Sequence, residues 1–287
     1  MPQKRCLTIQ DFSCMGRCSL TVALPTISAA GLECVAIPTT VLSNHTQFKS
    51  WAATSLTDQI IPTVDHWNDY NHSFDGIYTG YLDTDQVPLV IDVIKRLKNS
   101  QTAVLVDPAF ADNGRIYPAF DQTHVAALRK LVQNADIIVP NLTEACFLVS
   151  ERYPGENYDE LYVRRIIQEL SALGPKNVII TGVSYKEGTI GCECFDRSNY
   201  ASSFYSTAAY PGKYHGTGDL FASALISSYL RGLDIETSVE VAHDLVHRAI
   251  AETMKDGLDG MIYGVEFEKA LPFFVKSLDA QLRKAQD

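Results

Sequence analysis

The chain has 287 residues, of which 46% are hydrophobic and 20% charged, the proportions of a soluble globular protein long enough to bury its own core. Its formal net charge is −10 and its pI about 5.1, with no Lys/Arg-rich tract, which argues against nucleic acid or a membrane surface as a partner. Seven scattered cysteines without a C-x-x-C pair fit no zinc pattern and read as reduced thiols. The opening residues MPQKRCLTIQDF lack a charged n-region followed by an apolar h-region, and no apolar span of about 18 residues occurs. A cytoplasmic protein is expected.

Short β-branched runs alternate with helical periodicity along most of the chain. Strands are predicted over Cys6–Phe12, Cys34–Leu42, Gly76–Gly80, Ala103–Pro108, Ile137–Pro140 and Val178–Thr181. Between and beyond them the pattern predicts helices over Ser19–Ala30, Gln86–Lys98, Thr123–Asn134, Thr143–Ser150 and Asp159–Leu173. This βαβα rhythm predicts a mostly parallel sheet with helices on both faces. The pattern then changes: Gly188–Phe195 and Tyr200–Thr207 read as antiparallel hairpin strands around the turn Asp196–Asn199. From Gly216 onward only helices are predicted, over Thr217–Gly232, Glu236–Met254 and Val265–Lys284. With no repeat, low-complexity tract or linker-like stretch, residues 1–287 are expected to form a single domain. Ligands are expected at the carboxyl ends of its strands.

The run Tyr214-His215-Gly216-Thr217-Gly218-Asp219 carries the most chemistry. A glycine-rich turn opens a helix whose apolar positions Phe221, Leu225 and Tyr229 share one face. The free N–H groups at such a helix start, backed by the helix dipole, suit a phosphate or a developing oxyanion. Asp219 beside them is placed to take a proton from an attacking alcohol, so the run reads as a candidate phosphoryl-transfer centre. Asp219 also fits an ordinary helix cap. No P-loop sequence occurs, and Gly216-x-Gly218 is followed by Phe221 where a dinucleotide fingerprint needs a third glycine, which disfavours both folds.

Other candidates sit at predicted strand ends. Asp107 follows an apolar run and precedes Pro108, which biases it toward an extended conformation. Asn141-Leu142-Thr143-Glu144 is close to a capping box, a structural role that does not exclude a functional one. Ser43-Asn44-His45-Thr46 ends another apolar run with polar residues, which turn chemistry alone would also explain.

Taken together, these segments with Ile9-Gln10, Thr79-Gly80-Tyr81, Val106-Asp107-Pro108, Ile179-Ile180-Thr181 and Gly216-Thr217-Gly218-Asp219 resemble the ribokinase superfamily along nearly the whole chain. Within it, Ser43–Thr46 resembles the vitamin B6 (pyridoxal) kinases. The resemblance implies a ribokinase-like three-layer α/β/α sandwich, its central sheet mostly parallel with an antiparallel edge hairpin. It implies ATP-dependent phosphorylation of the 5′-hydroxymethyl group of pyridoxal, pyridoxine or pyridoxamine, with Asp219 as general base and the Gly216, Thr217 and Gly218 backbone as anion site. Asp107, Asn141, Thr181, Thr217 and Gly218 would line the ATP site, and Asp107 and Glu144 would lie near Mg²⁺. A monovalent cation such as K⁺, with Asp112 as a contributor, and a homodimer are also implied.

Substrate contacts by resemblance are Asp11, Ser13, Thr46, Tyr81 and Asp219, with the 43–46 segment partly covering the ring. Three positions depart from the family pattern. Asp11 stands where many B6 kinases have Ser; a carboxylate there would favour a protonated ring nitrogen, with Ser13 an alternative neutral contact. Gly16-Arg17-Cys18-Ser19 replaces a Gly-x-x-Gly-Asn-x-Ala-like opening of the first helix, and Gly182 stands where many members have Ser. A hydroxymethylpyrimidine kinase shares the same chemistry and is the near alternative. A sugar kinase lacks its N-terminal insertion here, and a non-catalytic nucleotide- or vitamer-binding protein would not need Asp219.

Overall fold

The structure, a computed structural model, describes residues 3–68, 70, 72–255, 257 and 262–285. In chain order it forms β1 (Arg5–Ser13), α1 (Leu20–Ala29), β2 (Glu33–Leu42), β3 (Ala53–Ser55), α2 (Thr57–Asn68), β4 (Gly76–Thr79), α3 (Gln86–Leu97) and β5 (Ala103–Val106). Next come β6 (Ala111–Asp112), β7 (Arg115–Ile116), α4 (Gln122–Val132), β8 (Ile137–Ile138), α5 (Leu142–Leu148), α6 (Glu160–Ala172) and β9 (Asn177–Val183). The hairpin β10 (Thr189–Asp196) and β11 (Ala201–Ala208) precedes α7 (Thr217–Arg231), α8 (Ile235–Lys255) and α9 (Phe267–Lys284).

Among the described residues one nine-stranded sheet runs in the order β11-β10-β9-β8-β5-β4-β1-β2-β3. The strands from β9 through β2 are parallel, while β3 at one edge and β10–β11 at the other are antiparallel. The central strands are apolar throughout because both faces are covered: β4 is buried along its whole length, and Val104, Leu105 and Val106 of β5 are buried too. One face carries α2 to α6, whose Val64, Val90, Leu128, Leu142 and Ile166 pack with Leu7 and Ile9 of β1. The other carries α1, α7, α8 and α9, where Leu220, Leu225 and Ile226 of α7 pack with Tyr78 and Leu105. Each of those three α7 side chains, fully buried, contributes roughly 1.5–3 kcal/mol. The expected α/β/α sandwich with its antiparallel edge hairpin is the fold observed.

The differences from expectation are local. β3, α2 and the small β6–β7 hairpin were not predicted. In α2 a proline, Pro62, interrupts an otherwise helical pattern, and β3 is exposed at all of its positions, so no alternation marks it. The strand expected over Ile137–Pro140 pairs only at Ile137–Ile138, because Asn141 already begins the cap of α5. All seven cysteines are free. No described helix is long and apolar enough to cross a membrane.

Candidate active site

β1 lies between β2 and β4: the chain runs to one side of it through β2 and β3 and then crosses back to β4 on the other, which opens a crevice at the strand ends, the usual ligand position in such sheets. Asp11 and Ser13 end β1 and Tyr81 follows β4. Asp107 follows β5, Asn141 follows β8, and Thr181 lies in β9. The first turn of α7 brings Gly216–Asp219 to the same end. Beside Asp11 the pairing of β1 with β2 shifts register between Gln10 and Phe12, a bulge-like irregularity of the kind that re-aims side chains near active sites.

Gly216 is the N-cap of α7 in the left-handed conformation, φ 76°. A Cβ there would lie 2.0 Å from the Arg17 carbonyl oxygen, so only glycine lets the turn approach the segment before α1. Thr217 Oγ1 donates to the Tyr214 carbonyl at 3.1 Å, fixing the turn. The first intrahelical bond runs from Leu220 N–H to the Gly216 carbonyl at 3.0 Å. The N–H groups of Thr217, Gly218 and Asp219 precede it and face outward from the helix end. Gly218 borders Asp107, where an added Cβ would stand 3.6 Å from Oδ2. Asp219 is half-buried, between the exposed Gly218 and the buried Leu220. Burial pushes its carboxyl above the ordinary range, and a hydrogen bond from the Ser19 N–H opposes that push.

Across the crevice is a fixed acidic side. Glu144 is buried, and its Oε1 accepts from Phe110 N–H at 2.9 Å and Ala111 N–H at 3.3 Å. Its Oε2 accepts from Asn141 N–H at 2.9 Å, while Asn141 Oδ1 accepts from Glu144 N–H at 3.0 Å, a complete capping box. Asn141 Nδ2 donates to the Ala111 carbonyl at 2.8 Å, and an isolated parallel bridge joins Asn141 to Thr181. The two candidate residues thus clamp the β6 segment to the start of α5. Burial pushes the Glu144 carboxyl up to about 7 against the pull of its three N–H donors. Asp107 is pushed well above the carboxylate range, first by burial and then by Glu144 and Asp219; a bond from the Ala109 N–H opposes this. Beside Thr181, Gly182 has φ 72° at the point where β9 and β10 shift register, and it is exposed.

The wall carrying Asp11, Ser13, Tyr81 and the 43–46 segment is looser. Ser13 Oγ donates to Asp11 Oδ2 at 3.2 Å, and Asp11 is buried. Burial raises its carboxyl to about 6; Ser19 and Ser13 hydroxyls pull it down and Asp219 pushes it up. Tyr81 donates to Asp83 Oδ1 at 3.3 Å and packs on Phe120, ring centroids 5.2 Å apart. His45 is buried, its Nε2 2.7 Å from the Ile262 carbonyl and its ring 5.4 Å from that of His215, so the 43–46 segment lies against the Gly216 turn. Thr46 itself stays exposed at the rim. Arg17 is committed to Glu268 at 2.8 Å and to the Gly264 carbonyl at 3.3 Å. It lines, with Gly16, Tyr263 and Glu266, a cavity of about 460 Å³ beside the crevice.

The structure therefore gathers Asp11, Ser13, Asp107, Asn141, Glu144, Thr181 and Gly216–Asp219 at one end of the sheet, with Tyr81 at the wall and Thr46 at the edge. Sequence reasoning missed two residues here. Ser19, at the N-cap of α1, lies near Asp11 and Asp219, yet it reads as an ordinary helix cap. Tyr78 is fully buried beneath Asp219 and Asp107; its hydroxyl and the neighbouring Gln10 Oε1 make no hydrogen bond of ordinary geometry. Among the described residues no three His, Cys, Asp or Glu side chains converge as a metal cage. Carboxylates that push one another's pKa upward do fit a hard cation carried mainly by phosphate oxygens, as Mg²⁺ is.

Comparison with known proteins agrees with this architecture. The model of the phosphomethylpyrimidine kinase family matches residues 21–262. A pyridoxal kinase from Dictyostelium discoideum is 28% identical over 267 residues, covering 88% of this chain and 87% of its own. A Bacteroides thetaiotaomicron protein, provisionally described as a phosphomethylpyrimidine kinase and crystallised with pyridoxal, is 33% identical with a TM-score of 0.90; the match covers 95% of this chain and 96% of that one. The pyridoxal kinase of Lactobacillus plantarum superimposes with a TM-score of 0.87 at 29% identity, covering 95% of this chain and 97% of its own.

Proposed function

The chain belongs to the phosphomethylpyrimidine kinase family of the ribokinase superfamily, and we propose that it transfers the γ-phosphoryl group of ATP to the 5′-hydroxymethyl group of a vitamin B6 vitamer. The observation that carries this reading is Asp219, half-buried in the first turn of α7 and bordered through Gly218 by Asp107. Asp219 accepts the proton of the hydroxymethyl group as its oxygen attacks. The outward N–H groups of Thr217, Gly218 and Asp219 receive the charge on the transferred phosphoryl. Positioning and electrostatics supply most of the acceleration in such loose transition states. Asn141 and Thr181 border the nucleotide phosphates, and Asp107, with Glu144 behind it, faces the cation. Mg²⁺, when bound with ATP, neutralises charge on the phosphate oxygens.

On the ring side, Asp11 accepts a hydrogen bond from a protonated pyridine nitrogen, Ser13 orients Asp11, Tyr81 flanks the ring, and Thr46 closes over it. Pyridoxal in the 33%-identical Bacteroides structure supports a B6 vitamer as acceptor. A carboxylate at Asp11 keeps hydroxymethylpyrimidine as the second reading, because that ring also offers basic nitrogens. The test is ATP consumption with Mg²⁺ across pyridoxal, pyridoxine, pyridoxamine and hydroxymethylpyrimidine. Turnover with at least one vitamer at a kcat/KM well above that for the pyrimidine is expected. Preference for the pyrimidine, or no ATP consumption with any of the four, would overturn the assignment.

A further inference from the structure

Phe120 makes two ring contacts, and only one of them belongs to its own helix. It precedes Asp121, the N-cap of α4, whose side chain accepts from Thr123 N–H at 2.8 Å and His124 N–H at 3.2 Å. From there Phe120 stacks on His124, ring centroids 3.7 Å apart and planes within 4°. A contact from the residue before a cap onto the start of its helix resembles a staple, which fixes how the chain enters. A staple does not need the second contact, with Tyr81 on the loop after β4, at 5.2 Å between centroids and 36° between planes. The two loops meet again at His124, whose Nδ1 lies 3.0 Å from Thr84 Oγ1. Tyr81, Phe120, His124 and Thr84 thus close a circuit of contacts in which His124 is buried. Tyr81 is half-buried, and its hydroxyl is engaged by Asp83 Oδ1 at 3.3 Å. With the hydroxyl taken and Phe120 against part of the ring, what Tyr81 can offer a ligand is the rest of its aromatic surface.

We propose that Phe120 is a positioning residue for the acceptor ring: its contact with Tyr81 holds that side chain as a flat wall on which the ring of the vitamer stacks. The proposal rests on the role given above to Tyr81. Aromatic rings pair at centroid separations of about 4.5–7 Å in offset or edge-on geometry, so a wall that hopped to another rotamer would lose the ring altogether. Asp83 limits that motion at the hydroxyl end and is itself fixed. Its Oδ2 accepts from Thr40 Oγ1 at 3.3 Å, and its N–H donates to Gln86 Oε1 at 2.9 Å. Burial, with Asp83 and Asp11 nearby, pushes the Tyr81 hydroxyl well up, so it stays protonated and keeps donating. Phe120 limits the motion at the ring. His124 also joins this assembly to the Glu144 cradle, since its ring lies 6.1 Å from that of Phe110, whose N–H donates to Glu144 Oε1 at 2.9 Å. A general fault in the packing of α4 would travel that way, whereas a fault confined to Tyr81 would not.

The test is Phe120→Leu, which keeps an apolar side chain and removes the ring, beside Phe120→Tyr, which keeps the ring. Each is made alone and together with Tyr81→Leu. Phe120→Leu should raise KM for the vitamer roughly two- to tenfold, the loss expected for one aromatic pair, with KM for ATP unchanged. Phe120→Tyr should restore the wild-type vitamer KM. In the Tyr81→Leu background, Phe120→Leu should add nothing, because a residue that acts through Tyr81 has nothing left to position. A Phe120→Leu enzyme with wild-type vitamer KM would overturn the proposal. So would one whose effect persists in full without the Tyr81 ring, or one that loses affinity for vitamer and ATP alike, the mark of a merely structural role. NMR of the Tyr81 ring in ligand-free protein reads the same contact without turnover. Phe120→Leu should move its resonances toward those of free tyrosine, and Phe120→Tyr should leave them in place. If no vitamer is a substrate, the functional reading fails and the resonances alone judge Phe120; if they stay in place in Phe120→Leu, the positioning role fails as well.

Discussion

On the proposed phosphate side of the crevice Glu144 receives three backbone N–H groups and Asn141 spends both ends of its amide on the protein, while on the proposed ring side Thr46 stands exposed on the loop between β2 and β3. The first side is held by bonds that tie the β6 segment, α5 and β9 into one unit. The second is held mainly through His45, whose ring fills the space against Gly16, where an added Cβ would lie 2.1 Å from Cδ2. A phosphate chain is the same in every turnover, so a rigid cradle serves it. A ring that must enter and leave is better served by a mobile rim over a fixed floor. Substitutions on the phosphate side should therefore register as stability, and those on the ring side as selectivity, with Asp219 between them registering as rate.

The largest expected effect is at that midpoint. Asp219→Asn keeps the shape and removes the proposed base, so kcat should fall by about 10²–10⁴-fold with KM for ATP nearly unchanged. The stability sign is opposite. A carboxyl whose folded pKa lies above its unfolded value binds its proton more tightly when folded, so its contribution is lost as pH rises through the folded pKa. At neutral pH and above, Asp219→Asn should melt no lower than wild type. Steady-state kinetics and a melting curve check both halves, and near-wild-type kcat would remove Asp219 from the chemistry.

On the phosphate side, Glu144→Ala leaves the Phe110, Ala111 and Asn141 N–H groups without their acceptor. Stranding buried donors costs about 1–3 kcal/mol, or a fall in Tm of roughly 3–10 °C for a chain of this size. Thermal denaturation without nucleotide isolates that effect from catalysis. An unchanged Tm would mean that the box is dispensable and the carboxylate is kept for the cation alone, reversing the contrast drawn here.

How much of this was legible in the sequence follows the range of the interactions. Gly216–Asp219 was legible because its geometry is local: a left-handed turn opening a helix leaves glycines and an acid in one short run. The Asn141–Glu144 box was legible by its spacing, but the Glu144 bonds to Phe110 and Ala111 span 34 and 33 residues and left no trace in either segment. α2 was hidden by Pro62, and β3 by an exposure pattern without alternation. Ser19 was hidden most completely, because a serine before a helix carries the same letter whether or not its hydroxyl caps the helix. Asp11 was legible as a departure from a pattern, while the register shift beside it was not.

The smallest effect tests the ring side. Thr46→Ala removes a hydroxyl from an exposed position, where substitutions usually change stability by about 0.5 kcal/mol or less, so Tm should not move. The loop keeps its anchor, since His45 Nε2 remains on the Ile262 carbonyl at 2.7 Å and the ring remains against Gly16 and His215. What the proposed role loses is one hydrogen bond to the acceptor, about 0.5–1.5 kcal/mol, which appears as a two- to tenfold rise in vitamer KM by the same principle. KM for ATP should be untouched, because the cradle across the crevice shares no side chain with the rim. Initial-rate measurements at saturating ATP, repeated at saturating vitamer, separate the two constants. A rise in both would show that rim and cradle move as one body, and a rise in neither would take Thr46 out of the ring site and leave Asp11, Ser13 and Tyr81 to hold the vitamer.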